Sequence, residues 1–399
     1  MDYRFSSRVT ALKSSVVRDI LKLTQGKDMI SFAGGLPAEE LFPVQAIREA
    51  ADRVFTKGAG AMQYGLTEGF LPLREQLCER MGYKGMNVSP DEMLLTTGSQ
   101  QAISLIIEVL TEPGDTILVE RPTYLACLQV FEMNGLNVIA AESDEHGIVA
   151  EDAERLIREH RPKLVYAVPT FGNPTGRVWS TERRQQLLAL CSSYGVPILE
   201  DDPYGEIKYD VNAVYPTLFA LDQQAGGAGS VIYTSTFSKT VAPGLRTGWA
   251  MGPAEVIAMM AKAKQAADLH SSAIDQQIVS ELLDSFPLDE HIKVISASYG
   301  ERMREMQGLL AGQHIEGLRW IEPKGGMFLW LELPEGLDAE ALLRASVQKG
   351  VAFVPGSSFY AYDPQRNTAR LNFTYNIGAK TALGVERFAE AVREFTARS

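Results

Sequence analysis

The chain has 399 residues, 45% of them hydrophobic and 22% charged, the profile of a globular protein with room for about two or three domains and a large core. Thirty-eight Lys and Arg stand against 50 Asp and Glu, a net charge of −12, which argues against a nucleic-acid binder with its basic stripe. No apolar run reaches the roughly 18 residues of a membrane span, and the polar start MDYRFSSRVTALKSS lacks a signal-peptide core, so a cytoplasmic protein is expected. Cys78, Cys127 and Cys191 are odd in number and without a CxxC, which fits reduced thiols rather than disulfides.

In chain order, the first expected element is a helix at Ser14–Thr24, where Val17, Ile20, Leu21 and Leu23 suggest one buried side. It ends before the Gly34-Gly35-Leu36-Pro37 turn. From about residue 90 to 252, short β-branched runs alternate with helical patterns. Seven strands are expected at Met93–Thr97, Thr116–Glu120, Asn137–Ala141, Lys163–Val168, Val196–Asp201, Ser230–Ser235 and Thr247–Met251. Helices are expected between many of them, for instance at Gln100–Leu110 and Thr181–Ser193, and the Gln223–Gly229 stretch reads as a surface loop. Such alternation implies an α/β domain whose mostly parallel sheet is covered on both faces. Helical patterns then fill about 254–313. After Gly317, strands at Trp320–Leu333, Val351–Val354 and Arg370–Tyr375, with helices at Ala339–Gln348 and Lys380–Arg398, predict a smaller α+β unit.

Familiar site signatures are missing. There is no GxxxxGK[ST], no GxGxxG after the first strand, no HExxH and no GxSxG, and the five histidines are scattered. An α/β enzyme without these needs another source of reactivity, and an organic cofactor is the expected one. Four polar groups fall at the C-terminal ends of expected strands, where open α/β sheets place ligands. Thr97-Gly98-Ser99-Gln100-Gln101 offers a hydroxyl and free N–H groups at a helix start, either an anion seat or a plain cap. Phe171–Gly176 (FGNPTG) is made of turn residues. Glu200-Asp201-Asp202-Pro203-Tyr204 places Asp201 at the end of a buried run, where a carboxylate needs a cationic partner. Ser235-Thr236-Phe237-Ser238-Lys239, with Pro243–Gly248 (PGLRTG) shortly after, suits a Schiff-base lysine beside a phosphate.

TTGSQQ, NPTG, EDDPY, STFSK and PGLRTG together resemble, in order and spacing, the fold-type I pyridoxal-5′-phosphate aminotransferases. SSVVRDILKLTQ, ISFAGGLPAEELFP, QYGLTEG, QAADLH and PKGGMF are similar to the 2-aminoadipate and kynurenine aminotransferase group, nearest its bacterial members. The resemblance implies a large cofactor domain at 45–288 with a seven-stranded sheet, a small α+β domain at 289–399, and an N-terminal segment, 1–44, that joins the small domain and covers the substrate. It implies that Lys239 carries pyridoxal 5′-phosphate and moves the substrate's Cα proton, that Asp201 faces the pyridine nitrogen, and that Asn173 and Tyr204 bond the phenolic oxygen. Tyr124 would stack on the ring, and Ser99, Gln100, Thr236, Ser238 and Arg246 would hold the phosphate. Arg370, with Asn173 and Gly35, would take the α-carboxylate, and Arg18 the side-chain carboxylate of acidic substrates. Tyr64 would reach the neighbouring subunit's phosphate, making a homodimer with shared sites. Expected partners are amino acids and 2-oxo acids, with 2-oxoglutarate as acceptor, and neither nucleic acid nor membrane. A β-lyase or decarboxylase on the same fold is the alternative, and an aminotransferase-like regulator domain a distant one.

Overall fold

The computed structural model describes residues 1–12, 20, 29–227 and 229–396. The expected helix at Ser14–Thr24 and Arg18 lie outside the described residues, apart from Ile20, which is buried. Ahead of the alternating region come a five-residue helix, Ser7–Ala11, a two-residue strand, β1 (Ile30–Ser31), and helices Val44–Thr56 and Leu71–Gly82. The main sheet holds β2 (Met93–Thr97), β3 (Thr116–Arg121), β4 (Asn137–Asp144), β5 (Gly147–Ile148), β6 (Leu164–Ala167), β7 (Ile198–Asp201), β8 (Val231–Thr236) and β9 (Thr247–Met251). Their order is β2–β9–β8–β7–β6–β3–β4–β5. The pairs from β8 through β7, β6 and β3 to β4 are parallel, and β9 runs antiparallel between β8 and β2. The seven expected strands are therefore present. The eighth, β5, closes a tight turn back onto the end of β4 and is too short to leave a periodic trace.

Period-two alternation explains why these runs form a sheet covered on both faces. Leu95, Leu118, Ile198, Tyr233 and Trp249 belong to one core, while their neighbours Leu94, Ile117, Leu199, Ile232 and Ala250 belong to the other. Helices Ser99–Leu110 and Ala254–Asp268 cover the second face with Ile103, Ile106, Ile257 and Met260.

The 254–313 region is three helices, Ala254–Asp268, Ala273–Ser285 and Leu288–Gly312. The last begins in the first of those cores, with Leu288 and Ile292, and continues into a separate one through Ile295, Met303 and Leu310. That separate core lies under a four-stranded antiparallel sheet of β10 (Arg319–Trp320), β11 (Phe328–Glu332), β14 (Thr368–Asn372) and β13 (Val354–Pro355). β1 pairs in parallel with β12 (Val351–Ala352), so the N-terminal segment is tied to the C-terminal part of the chain. Phe171 of the FGNPTG turn, buried and with φ of +53°, packs under Gly325 and Gly326. A Cβ on Gly325 would come within 2.4 Å of the Phe171 ring, so only glycine lets the start of β11 lie on the turn.

Candidate active site

The C-terminal ends of β2, β6, β7 and β8 and the start of β9 share one edge of the sheet, and a cavity of about 320 Å³ opens there. Its lining brings together Ser99, Gln100, Tyr124, Asn173, Asp201, Tyr204, Thr236, Ser238, Lys239, Arg246, Gly35 and Arg370, twelve residues singled out in the sequence. Two are not brought together there. Tyr64 is exposed, its ring edge-on to His270 at 5.7 Å, and Arg18 lies outside the described residues.

One end is built for an anion. Gly98, with φ of +74°, starts helix Ser99–Leu110, whose first N–H groups have no partner within the helix. Arg246 closes on this turn: its Nη1 donates to Ser238 Oγ (3.4 Å) and its Nη2 to the Thr97 carbonyl (3.4 Å). Gly98 is required by its positive φ, and Gly248 by close approach, since a Cβ there would stand only 2.7 Å from Ser99 N. Thr236 and Ser238 add hydroxyls 2.8 Å apart. A guanidinium, two hydroxyls and a helix start converge as a phosphate site does.

The opposite end is Arg370, in β14 and 2% exposed. Its Nη1 donates to Asn173 Oδ1 (2.8 Å) and its Nη2 to the Ala33 carbonyl (2.5 Å). The rings of Phe328 and Phe359 lie 4.3 and 5.1 Å from its central carbon. Its buried Nε has no partner among the described residues. Burial pushes the guanidinium down to about 10, still charged at neutral pH.

Between the two ends stand Lys239 and Asp201. Lys239 Nζ donates to the Gly35 carbonyl at 2.9 Å. Burial, with the charges of Arg370 and Arg246 adding to it, lowers the ammonium to about 8, so a neutral amine is within easy reach near neutral pH. Asp201 ends β7 and is pushed up to about 7 by burial. The sequence calls for a cation beside it. Within the chain its partner is instead the neutral hydroxyl of Tyr166, which donates to Oδ2 at 2.8 Å. Oδ1 is buried with no partner among the described residues. An orphaned carboxylate oxygen is costly unless something else supplies the proton. The protonated nitrogen of a pyridine ring lying in the cavity answers that need, so the residues present fit pyridoxal phosphate.

Sequence reasoning did not single out Tyr166, Phe328 or Phe359. Tyr166 had a signal: a tyrosine in the buried run LVYA needs a hydroxyl partner. The two phenylalanines reach Arg370 from separate segments, and no spacing marks them. Cys127, beside Asp201 and Tyr166, is buried and its thiol is pushed well up by desolvation, an inert packing residue.

Comparison with known proteins agrees with this geometry. The family profile described as "Aminotransferase class I and II" matches residues 27–390. The chain is 41% identical to "Aromatic-amino-acid aminotransferase 1" of Thermococcus litoralis, over 99% of this chain and 95% of that one. It is 39% identical to the "2-aminoadipate transaminase" of Thermus thermophilus, over 98% and 96%. The solved structure of α-aminoadipate aminotransferase from Thermus thermophilus, complexed with N-(5′-phosphopyridoxyl)-L-leucine, superposes with a TM-score of 0.92 at 37% identity, covering 99% of this chain and 98% of that one. The chain thus belongs to the class I and II aminotransferases and is a fold-type I enzyme dependent on pyridoxal 5′-phosphate.

Proposed function

We propose that this aminotransferase moves the amino group of L-amino acids, 2-aminoadipate, glutamate, aromatic and branched-chain donors among them, to 2-oxoglutarate in two half-reactions of a ping-pong cycle. The observation that carries this reading is a cavity with an anion seat at each end, a depressed lysine between them and an unpartnered Asp201 oxygen. The relatives named for aromatic amino acids and for 2-aminoadipate support a broad donor range. Bound pyridoxal phosphate supplies the carbonyl that accepts an amine and the ring that withdraws electrons from the substrate's Cα.

The chain's own groups do the rest. Ser99, Gln100, Thr236, Ser238 and Arg246 hold the phosphate, and Tyr124 covers the ring face. Asp201, held by Tyr166, keeps a proton on the ring nitrogen. Asn173 Oδ1 accepts from Arg370, its side chain also bonds the Tyr204 hydroxyl, and together Asn173 and Tyr204 would donate to the ring's phenolic oxygen. Arg370 grips the α-carboxylate near Gly35 and Asn173 and so aims the Cα hydrogen at Lys239. The Lys239 amine would take that proton and return it at C4′, the cofactor's carbonyl carbon. Arg18 receives the distal carboxylate of acidic substrates. Tyr64, exposed in a single chain, completes the phosphate seat of a second copy, which makes the working form a homodimer. The acidic charge fits a cytoplasmic enzyme with neither nucleic-acid nor membrane partners, and no helix among the described residues is long and apolar enough to cross a membrane.

The test is a panel of amino donors with 2-oxoglutarate, followed through the cofactor's absorbance. Donor-dependent glutamate formation is expected from acidic, aromatic and branched-chain amino acids. Release of ammonia and pyruvate with no keto-acid present would instead support a lyase.

A further inference from the structure

Directly behind the phosphate seat, Lys264 has a side chain wholly shielded from solvent. Its Nζ donates to Asp268 Oδ1 (2.8 Å), to Asp268 Oδ2 (2.7 Å) and to Gln101 Oε1 (2.8 Å), which uses all three of its protons. Gln101 Oε1 also accepts from the Thr97 backbone N–H at 2.8 Å, and Gln101 Nε2 donates to Asp268 Oδ2 at 2.6 Å. The amide of Gln101 can satisfy all of these in one orientation alone. Ser271 Oγ meets Thr97 Oγ1 at 2.9 Å, and the Thr97 carbonyl is the one Arg246 Nη2 reaches. Lys264, Asp268 and Gln101 do not line the cavity themselves. A buried ammonium contributes little net stability, because desolvation offsets its pairing. A fully satisfied polar network does impose one geometry on whatever it touches.

We propose that Lys264, Asp268 and Gln101 are positioning residues for the phosphate end of the cavity, a hydrogen-bonded brace with Lys264 buried and Asp268 at its solvent edge, which fixes the Thr96–Thr97 peptide and with it the Gly98–Ser99 turn. The inference rests on the cofactor reading above. Ser99 begins its helix two residues after Thr97, so a shift of that peptide moves the seat's N–H groups and the Arg246 anchor together. The brace acts on the phosphate and leaves the ring end, at Asp201, untouched.

The experiment titrates the full chain, freed of cofactor, with pyridoxal 5′-phosphate and with pyridoxal, which lacks the phosphate, following the absorbance of each. Wild type should favour the phosphorylated form strongly. Lys264→Met and Gln101→Met, both close in shape, should each lose about tenfold or more of that preference, the scale of second-layer partners elsewhere. Pyridoxal affinity should hold within about twofold, which also shows that the variants are folded. The double variant should lose no more than the worse single one, since both break the same brace. Affinities for the two compounds that fall together, or a preference that stays at the wild-type level, would overturn the brace and leave the cofactor site standing. A wild-type chain that holds both compounds equally would overturn the phosphate seat, and the brace with it.

Discussion

Arg370→Lys keeps a positive charge and removes the planar fork, and its cost follows from the contacts that hold the guanidinium. Both terminal nitrogens are already tied, to Asn173 Oδ1 and the Ala33 carbonyl, and Phe328 and Phe359 wall the group. An ammonium in that space cannot keep both ties and offer a carboxylate two parallel hydrogen bonds. Loss of a charge-assisted bond to substrate, with acceptors left short, should cost about 2–4 kcal/mol. That is roughly 30- to 1000-fold in kcat/KM, and every α-amino acid should suffer alike. Burial adds a pH signature. Desolvation brings Arg370 down only to about 10, so wild type keeps its cation through mildly alkaline pH. The same burial acting on a lysine, which starts near 10.4, would bring it to roughly 8. The ratio of variant to wild-type kcat/KM should be flat below about pH 7 and fall as pH rises through about 8, where the variant alone loses its charge. The measurement is kcat/KM for glutamate, leucine and phenylalanine across that range. A loss confined to acidic donors, or a ratio unchanged with pH, would refute the reasoning.

Lys239→Ala should lower turnover by several orders of magnitude while the cofactor's absorbance shows that it still binds; near-normal transamination would point to another lysine. In the cofactor-free protein, Asp201 sits at about 7 against an unfolded value near 3.9, so its contribution to stability is present below about pH 4 and is lost as pH rises to 7. Asp201→Asn should therefore flatten the fall of Tm over that window. Glu120 and Glu200 are raised by burial in the same way, so the difference between the two curves is the measure, and superimposable curves would contradict the assignment. Arg18→Ala should weaken kcat/KM for glutamate and 2-aminoadipate by about 1–3 kcal/mol, with leucine little changed. The acceptor 2-oxoglutarate, a dicarboxylate too, should show a higher KM in the same variant. Equal losses for leucine and 2-aminoadipate would move the specificity determinant elsewhere.

The strands were legible because each is a run of β-branched and apolar residues cut off by turn residues. Met93–Thr97 and Thr247–Met251 fall where expected, as does the helix Ala339–Gln348. Two-residue strands such as β5 and β10 carry no period to detect. The breaks inside 254–313 fall at Leu269–Ser272 and Phe286–Pro287, short links within a helix-like composition. The convergence of Ser99, Thr236, Ser238 and Arg246 on one end of the cavity was readable because these residues sit within a few positions of strand ends. The support behind it was not. Tyr166 holds one oxygen of Asp201, and the shelter of Arg370 comes from Phe328 and Phe359, each drawn in by tertiary packing. Such partners are chosen by where strands land in space, which spacing along the chain does not encode.

The tie between Arg370 and the Ala33 carbonyl joins residues 337 positions apart, and β1 waits equally long for β12. A chain made at about 5–20 residues per second spends on the order of twenty seconds to a minute between emitting the first partner and the second. The cofactor groups from Ser99 to Arg246 are all made well inside that interval. On the ribosome, therefore, every group that one chain is proposed to offer the phosphorylated ring is made before Arg370, the proposed grip on the amino acid.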